Sequence, residues 1–172
     1  GKPRLTQNSM DGISDRDFAV EFCSAAALIA VHLSRLAEDW ILWASAEFDF
    51  IRISDAYTTG SSLMPQKRNP DIAELARGKT GRVVGNLMAM LTLLKGLPMT
   101  YNRDLQEDKE RLFDSVDTVR ATVRLTAAMA GATSVNAETC LSAASDPTLL
   151  ATDLADYPVR QGVAFREAHQ IG

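Results

Sequence analysis

Two serines, a lysine and an asparagine lie in one short stretch of the chain, where their chemistry could be combined. Ser61 and Ser62 follow Gly60, whose flexible backbone indicates a loop, and Lys67 and Asn69 come shortly after. A serine hydroxyl is a weak acid and a weak base, so it takes part in proton transfer only with help from a cation or from backbone amides. The stretch therefore predicts a loop that binds an anion and activates a serine.

The same stretch leads into the start of a helix. Asn69 is a favourable N-cap, Pro70 suits the first helical position, and Asp71 puts negative charge at the positive end of the helix dipole. The first N–H groups of a helix have no partner within it, so this end attracts anions. Glu74 follows within the first turns, where complementarity with the dipole is enough to explain an acidic residue.

Residues 60–71 resemble the signature loop of the fumarase/aspartase superfamily, which has the order Gly-Ser-Ser-x-Met-Pro-x-Lys-x-Asn-Pro. The form found here, Gly-Ser-Ser-Leu-Met-Pro-Gln-Lys-Arg-Asn-Pro-Asp, is similar to that of the argininosuccinate lyase and delta-crystallin branch. The order of residues along the whole loop carries the resemblance, since a Ser-Ser pair alone means little.

The resemblance implies a role for each polar residue of the loop. Ser61 corresponds to the catalytic serine, and Lys67 and Asn69 to residues that bind a substrate carboxylate. Lys67 also counts among the catalytic residues, because it would meet the charge that develops on that carboxylate. Glu74 corresponds to a carboxylate that orients the catalytic histidine. Ser62 is assigned to substrate binding, with an ordinary loop hydroxyl as an equal alternative.

A second group of candidate residues falls in segment 101–110, Tyr-Asn-Arg-Asp-Leu-Gln-Glu-Asp-Lys-Glu. Gln106 and Lys109 are three residues apart and hence on one face of a helix. Spacing alone favours a solvated helix start with mixed charges. Argininosuccinate lyases carry a very similar segment, and the resemblance implies that Tyr101, Gln106 and Lys109 contact the substrate.

Neither histidine of the chain occupies the catalytic-histidine motif of this family. His32 falls within a helical run, where a packed or half-exposed histidine is the simpler interpretation, and His169 falls near the end of the chain. We therefore expect the catalytic histidine to lie upstream of residue 1, together with the threonine and asparagine that bind substrate in this family. We also expect the chain to be an inactive fragment of a longer enzyme.

Three long helices are expected to position these groups. Apolar residues recur at intervals averaging about 3.6 residues, which predicts helices over about 15–47, 70–95 and 103–132. At 1.5 Å per residue the first would be roughly 45–50 Å long, which is typical of long bundles and oligomer cores. The residues expected to face inward are, helix by helix, Phe18, Phe22, Ala25, Ile29, Leu33, Leu36, Trp40 and Trp43; Ile72, Leu75, Val83, Leu87, Met90 and Leu94; and Leu105, Leu112, Val116, Val119, Val123 and Ala130.

Local signals add detail to the first helix. Ser14 and Asp17 have the spacing of a capping box, in which the serine hydroxyl and the acidic side chain each take up a free N–H. This capping role is sufficient to explain the segment, so no direct substrate role is assigned to Arg16.

The second helix contains three glycines, Gly78, Gly81 and Gly85. Each costs up to about 1 kcal/mol relative to alanine. We expect them to be compensated by close approach of a neighbouring helix.

Composition excludes several classes of protein. Hydrophobic residues make up 46% and charged residues 23% of the 172 residues, and the net charge is −4 with a pI near 5.2. These values describe a globular chain without the basic patch that nucleic acids require. Cys23 and Cys140 belong to no cluster with metal-ligand spacing, so no metal and no cofactor is expected. Because no uninterrupted apolar run has the length of a membrane span, we expect none, and the cytoplasm is the default location.

The expected fold class is all-α, a bundle of long helices forming part of a homotetrameric core. Segments shorten after about residue 137, which places a domain boundary near residues 142–147. Residues 1–144 would complete the central helical domain, and residues 145–172 would begin a small helical C-terminal domain. In the resembled superfamily, four composite active sites each draw on three subunits.

The implied reaction is cleavage of argininosuccinate into arginine and fumarate by general acid/base β-elimination, a step of arginine biosynthesis and the urea cycle. Sequence alone does not show which of Ser61 and the expected histidine is base and which is acid. Three alternatives stay open: another superfamily lyase such as adenylosuccinate lyase or fumarase, a crystallin-like structural relative, and a non-catalytic assembly module. The expected partners are the small-molecule substrate and further copies of the chain, without nucleic acid or membrane.

Overall fold

The protein is all-α, as expected from the sequence. A computed structural model describes residues 5–171, with the side chains of residues 150, 155 and 169–171 outside the description. The side chain of His169 therefore falls outside the description. About 70% of the residues are helical. The helices are α1 (Ser9–Ser14), α2 (Asp17–Trp43), α3 (Asp71–Leu94), α4 (Asp108–Gly131), α5 (Ala137–Ala144), α6 (Ala151–Arg160) and α7 (Phe165–Ile171).

Short strands and 3-10 turns connect the helices. Strand β1 (Ile51–Arg52) pairs antiparallel with β4 (Ser134–Val135), and β2 (Thr59–Gly60) pairs antiparallel with β3 (Arg68–Asn69). The 3-10 turns span Asp55–Tyr57, Arg103–Glu107 and Pro147–Leu150. The β1–β4 pair joins the long α2–α3 connection to the segment that follows α4.

Helices α2, α3 and α4 pack along one another, with α3 antiparallel to the other two. At one end of the bundle, Cys23 of α2 packs with Met90 of α3 and Leu112 of α4. At the other end, Ala37 of α2 packs with Ala73 of α3 and Met129 of α4. The start of α4 therefore lies beside the end of α3 and the start of α2.

The inner face of α2 is a row of small residues, and this corrects the sequence prediction. Phe18, expected inside, is 64% exposed, and the other large residues Phe22, Ile29, Leu36 and Trp43 are also exposed. Helical periodicity locates an apolar stripe but does not show which of two apolar stripes meets the neighbouring helices. Alanines allow the closer approach of helix axes and form the internal contact. The buried residues of α2 are Ala19, Cys23, Ala26, Ala27, Ala30 and Ala37.

The other two long helices follow the prediction in part. Val83, Met90 and Leu105 are buried as expected, whereas Leu75 is 55% exposed and Val123 is 42% exposed. Helix α4 faces its neighbours mainly with small hydroxyl residues, Ser115, Thr118, Thr122 and Thr126. Hydropathy patterns overlook such a face, because threonine counts as polar although its methyl group packs well.

Two predicted helix caps are wrong. Ser14 is the last residue of α1, and its hydroxyl donates to the Asp11 carbonyl (3.1 Å), so it cannot cap α2. The Asp17 amide instead donates to Asp15 Oδ1 (2.8 Å). Asn69 lies in β3 rather than at the N-cap of α3, since hairpin pairing fixes its backbone.

The three glycines of α3 do not face a neighbour among the residues that the structure describes. A Cβ atom added at Gly78, Gly81 or Gly85 would meet nothing within 4 Å. The close approach expected from the sequence is therefore not an approach of α2 or α4. Only a group from outside the described residues could pack closely against the glycine face of α3.

Replacing Gly81 by leucine tests whether this face is covered in the complete protein. Leucine favours the helix by up to about 1 kcal/mol over glycine, so an uncovered face predicts a raised melting temperature and unchanged mass in solution. We expect the opposite, because overpacking a helix contact costs about 1–3 kcal/mol. Size-exclusion chromatography with light scattering and thermal melting should show a smaller or less stable assembly. An unchanged mass together with a higher melting temperature would place Gly81 in solvent.

Among the described residues, one helical stretch is long and apolar enough to cross a membrane by length and composition, which the sequence analysis did not anticipate. Within Ser9–Trp43 an 18-residue window reaches a mean hydropathy of 1.4. The central helix of a helical bundle meets the same criterion, and α2 packs its alanine row against α3 and α4. The hydropathy therefore reflects apolar residues on both faces of α2.

Candidate active-site residues

The signature loop is the tip of a small β-hairpin. Strands β2 and β3 place Thr59 opposite Asn69 and Gly60 opposite Arg68. The Arg68 side chain fastens the base of the tip: Nε donates to Asp55 Oδ1 (3.0 Å) and Nη1 to the carbonyls of Pro65 (2.8 Å) and Lys67 (3.0 Å). The loop is thus anchored at its ends and exposed between them.

Ser61 begins this tip and is polarised by the backbone. Its Oγ accepts hydrogen bonds from the amides of Leu63 and Met64, both at 3.2 Å. Amide donors stabilise negative charge on an oxygen, and they leave the hydroxyl proton free to be donated. Ser61 is half-buried, whereas Ser62 beside it is exposed. The geometry can support an acid/base role for Ser61.

The other predicted residues of the loop surround the start of α3. Lys67 is exposed and closes a turn, with its amide donating to the Met64 carbonyl (3.0 Å). Asn69 is half-buried in β3, directly before the helix. Glu74 is exposed in the first turn of α3. The charge of Glu74 adds to the raised pKa of Arg77, which arises mainly from the hydrogen bond between Arg77 and Glu38.

Tyr101, Gln106 and Lys109 form a hydrogen-bonded row at the start of α4. Gln106 Nε2 donates to the Tyr101 hydroxyl, and Lys109 Nζ donates to Gln106 Oε1 (3.4 Å). Spacing had put Gln106 and Lys109 on one face, and the hydrogen bond between them shows that they share it. The row offers a phenol, an amide and an ammonium group to a ligand.

A strained residue precedes the row. Thr100 has a φ of +133°, a region that side-chain-bearing residues rarely adopt. Asn102 supports this backbone, because its Nδ2 donates to the carbonyls of Pro98 and Thr100, both at 3.2 Å. The strained residue directly precedes Tyr101 in the chain. Strained backbone of this kind is commonly found at ligand-binding positions.

The two groups of predicted site residues lie at opposite ends of the bundle. The hairpin precedes α3, and the Tyr101 row follows it, with the 24 residues of α3 between them. At 1.5 Å per residue the helix separates them by about 36 Å. One copy of this chain therefore brings Ser61, Lys67 and Asn69 together, and separately Tyr101, Gln106 and Lys109, but not both groups into one site.

Two features near these groups were missed by sequence reasoning. An open cavity of about 270 Å³ behind the hairpin base is lined by Asp49, Arg52, Asp55 and Arg68 among others, and by none of the predicted site residues. Beside the Tyr101 row, Arg16 forms an ion pair with the buried Asp108, a residue that sequence analysis did not single out.

In the described part of the chain, no three His, Cys, Asp or Glu side chains come together so as to hold a metal ion.

Comparisons with known proteins match both ends of the chain to lyase families. A family model described as Lyase matches residues 1–85, and one described as Argininosuccinate lyase C-terminal matches residues 148–172. The argininosuccinate lyase of Syntrophus aciditrophicus is 62% identical over 98% of this chain, and that of Polaromonas naphthalenivorans is 57% identical over 99%. The chain spans 36% of the length of each of these relatives.

Solved structures show the same arrangement of helices. EDDS lyase in complex with formate superposes with a TM-score of 0.83 at 30% identity, covering 97% of this chain and 33% of that one. The class II fumarase of Schistosoma mansoni superposes with a TM-score of 0.78 at 18% identity, covering 96% of this chain and 38% of the fumarase, and it supports the fold alone. The long-helix bundle with its serine-bearing hairpin has the fold of a core fragment of the fumarase/aspartase-superfamily lyases. Within that superfamily, the chain is similar to argininosuccinate lyases over nearly its whole length.

Proposed function

We propose that the complete protein containing this chain cleaves argininosuccinate into arginine and fumarate. The proposal rests on one observation: the Ser61 hairpin lies within a chain that is 62% identical, over nearly its whole length, to an argininosuccinate lyase. The reaction needs a proton removed beside a carboxylate and a proton supplied to the leaving guanidinium group. Neither step calls for a metal or a cofactor, and the proposal includes none.

The proposed mechanism is a β-elimination. A base removes the proton from the carbon next to a carboxylate, and the electron pair moves onto that carboxylate. Lys67 and Asn69 would meet the growing negative charge, since fixed donors aimed at such charge commonly contribute about 10²–10³ in rate. The electron pair then forms the carbon–carbon double bond of fumarate as the carbon–nitrogen bond breaks. Ser61 and a histidine from outside this chain would share the acid and base roles, and Glu74 would orient that histidine.

We propose further that each active site is shared between copies of the chain. Helix α3 separates Ser61 from Lys109 by about 36 Å. This distance supports a shared site, because one substrate cannot touch both residues within one copy. Exposed apolar residues also favour assembly, since three helices of this chain leave a large apolar area uncovered. The exposed large residues of α2 are Phe18, Phe22, Leu28, Ile29, Val31, Leu36, Leu42 and Trp43. A homotetramer is the proposed state.

We also propose the domain division and the cellular setting. Residues 1–144 would belong to the central helical domain and residues 145–172 to a C-terminal domain. The match of residues 148–172 to a C-terminal family model supports this division. The proposed location is the cytoplasm, and the proposed role is arginine biosynthesis.

Assay of the full-length protein tests the activity. Purified enzyme should release fumarate from argininosuccinate, detected by ultraviolet absorbance, and should release none from adenylosuccinate or malate. Fumarate from adenylosuccinate or malate alone would assign another lyase of the superfamily. Absence of turnover with all three, from a folded oligomer, would indicate a structural relative without activity.

Replacing Lys67 with methionine should lower kcat/KM for argininosuccinate by at least about a hundredfold, because the ammonium group would no longer meet the carboxylate. Inhibition by fumarate should weaken in the same variant. Lys95→Met, at the exposed end of α3, is the matched control and should leave both values unchanged. Steady-state kinetics of the full-length variants measure the effect. Unchanged turnover and unchanged fumarate inhibition in the Lys67 variant would show that its assigned role is wrong.

A further inference from the structure

We propose that Asp108 is a positioning residue, which holds Lys109 in the substrate-binding row by anchoring it to Arg16 at the start of α2. The inference rests on the proposed function of the Tyr101 row. It goes beyond that function by adding a residue that touches no substrate.

The two oxygens of the Asp108 carboxylate have different partners. Arg16 Nε donates to Oδ2 at 2.5 Å, and Lys109 Nζ donates to Oδ1 at 3.2 Å. Asp108 is buried, and the side chains of Asp108 and Arg16 are only 10% and 16% exposed. A buried carboxylate with two cationic partners is tightly oriented, since charge-assisted hydrogen bonds are short and directional.

Arg16 in turn is held by the backbone at the start of α2. Its Nη1 donates to the carbonyls of Ile13 (3.1 Å) and Asp15 (2.6 Å). The guanidinium group therefore links the α1–α2 junction to the first residue of α4. Nε and Nη1 of Arg16 donate within the chain, which gives this half-buried cation a supporting role.

The network continues from Asp108 to the candidate ligand contacts. Lys109 Nζ lies between Asp108 Oδ1 and Gln106 Oε1, and Gln106 reaches the Tyr101 hydroxyl. A free lysine ammonium on four rotatable bonds would sample many positions. With Asp108 as a fixed acceptor, Lys109 is confined before substrate arrives, and displacements of about 1 Å in such groups can cost about 10²-fold in rate.

A second aspartate on the same helix serves as the matched control. Asp114 also pairs with an arginine of another helix, accepting from Arg82 Nε at 2.8 Å and from Asn86 Nδ2 at 2.6 Å. The hydrogen bond from Arg82 holds the pKa of the Asp114 carboxyl below its usual range. Asp114 lies well inside α4, away from the Tyr101 row, so it shares the structural role of Asp108 without the neighbouring lysine.

The test is a double-mutant cycle in the full-length enzyme. Asp108→Asn should raise KM for argininosuccinate about tenfold or more, whereas Asp114→Asn should lower the melting temperature without changing KM. In a Lys109→Met background, Asp108→Asn should have little further effect on KM, because the lysine it positions is gone. A purely structural Asp108 would instead give additive effects in the cycle, and that result overturns the proposal. So does an unchanged KM in the single variant.

If Asp108→Asn alone fails to fold, a double variant that makes both members of the ion pair neutral provides the test. Removing one partner of a buried ion pair leaves an uncompensated charge, whereas Arg16→Gln with Asp108→Asn removes both charges. The double variant should fold and still show the raised KM, and a normal KM would overturn the inference. Wild-type enzyme without activity on argininosuccinate would instead reject the proposed function, so the two failures are distinguishable.

Discussion

Replacing Ser61 with alanine in the full-length enzyme is expected to reduce kcat by at least about a thousandfold while leaving the fold intact. The Ser61 hydroxyl oxygen accepts hydrogen bonds from two backbone amides at 3.2 Å, which favours negative charge on this oxygen and leaves its proton free to be donated. Its removal takes away one member of an acid/base pair. Stability should change little, by about 0.5 kcal/mol, because the loop tip is exposed. Steady-state kinetics and thermal melting measure the two effects separately.

Ser54→Ala is the matched control for this change. Ser54 Oγ accepts an amide hydrogen bond from Ala56 at 3.4 Å, so it is also a hydroxyl that caps a turn, but it lies outside the hairpin. We expect normal kinetics from this variant. Near-normal turnover of Ser61→Ala would contradict the catalytic assignment. An equal loss in both variants would mean that turn geometry rather than serine chemistry is responsible.

Mixing two inactive variants should restore activity if each active site is shared between copies of the chain. Ser61→Ala damages the hairpin end of the chain, and Lys109→Met damages the opposite end, about 36 Å away along α3. If each site takes these ends from different copies, random assembly of equal amounts leaves about one site in four with both residues intact. Co-refolded or co-expressed mixtures should therefore reach about a quarter of wild-type activity.

A mixture of Ser61→Ala with Lys67→Met supplies the control for complementation. Both residues lie on one hairpin, so every site receives one defect or the other and no activity should return. Recovery in this control would show that the hairpin residues also come from different copies. No recovery in the Ser61 and Lys109 mixture, from confirmed mixed assemblies, would contradict the shared site.

Local chemistry along the sequence was sufficient to predict much of this protein. The three long helices lie within a few residues of their predicted bounds, because apolar periodicity and the Gly and Pro positions act over one or two turns. The serine loop was also located, since Gly60 and Pro65 prevent a helix there whatever the rest of the chain does. The roles assigned to Ser61, Lys67 and the other site residues stay predictions.

Only the tertiary structure decided how these elements meet. Periodicity marked the large residues of α2 as its inner face, but the close approach of α3 and α4 selects the alanines and leaves Phe18 exposed. The antiparallel course of α3 puts Ser61 and Lys109 at opposite ends, which no local signal contains. The Arg16–Asp108 pair joins residues 92 positions apart, so it exists only because α2 and α4 start at the same end of the bundle.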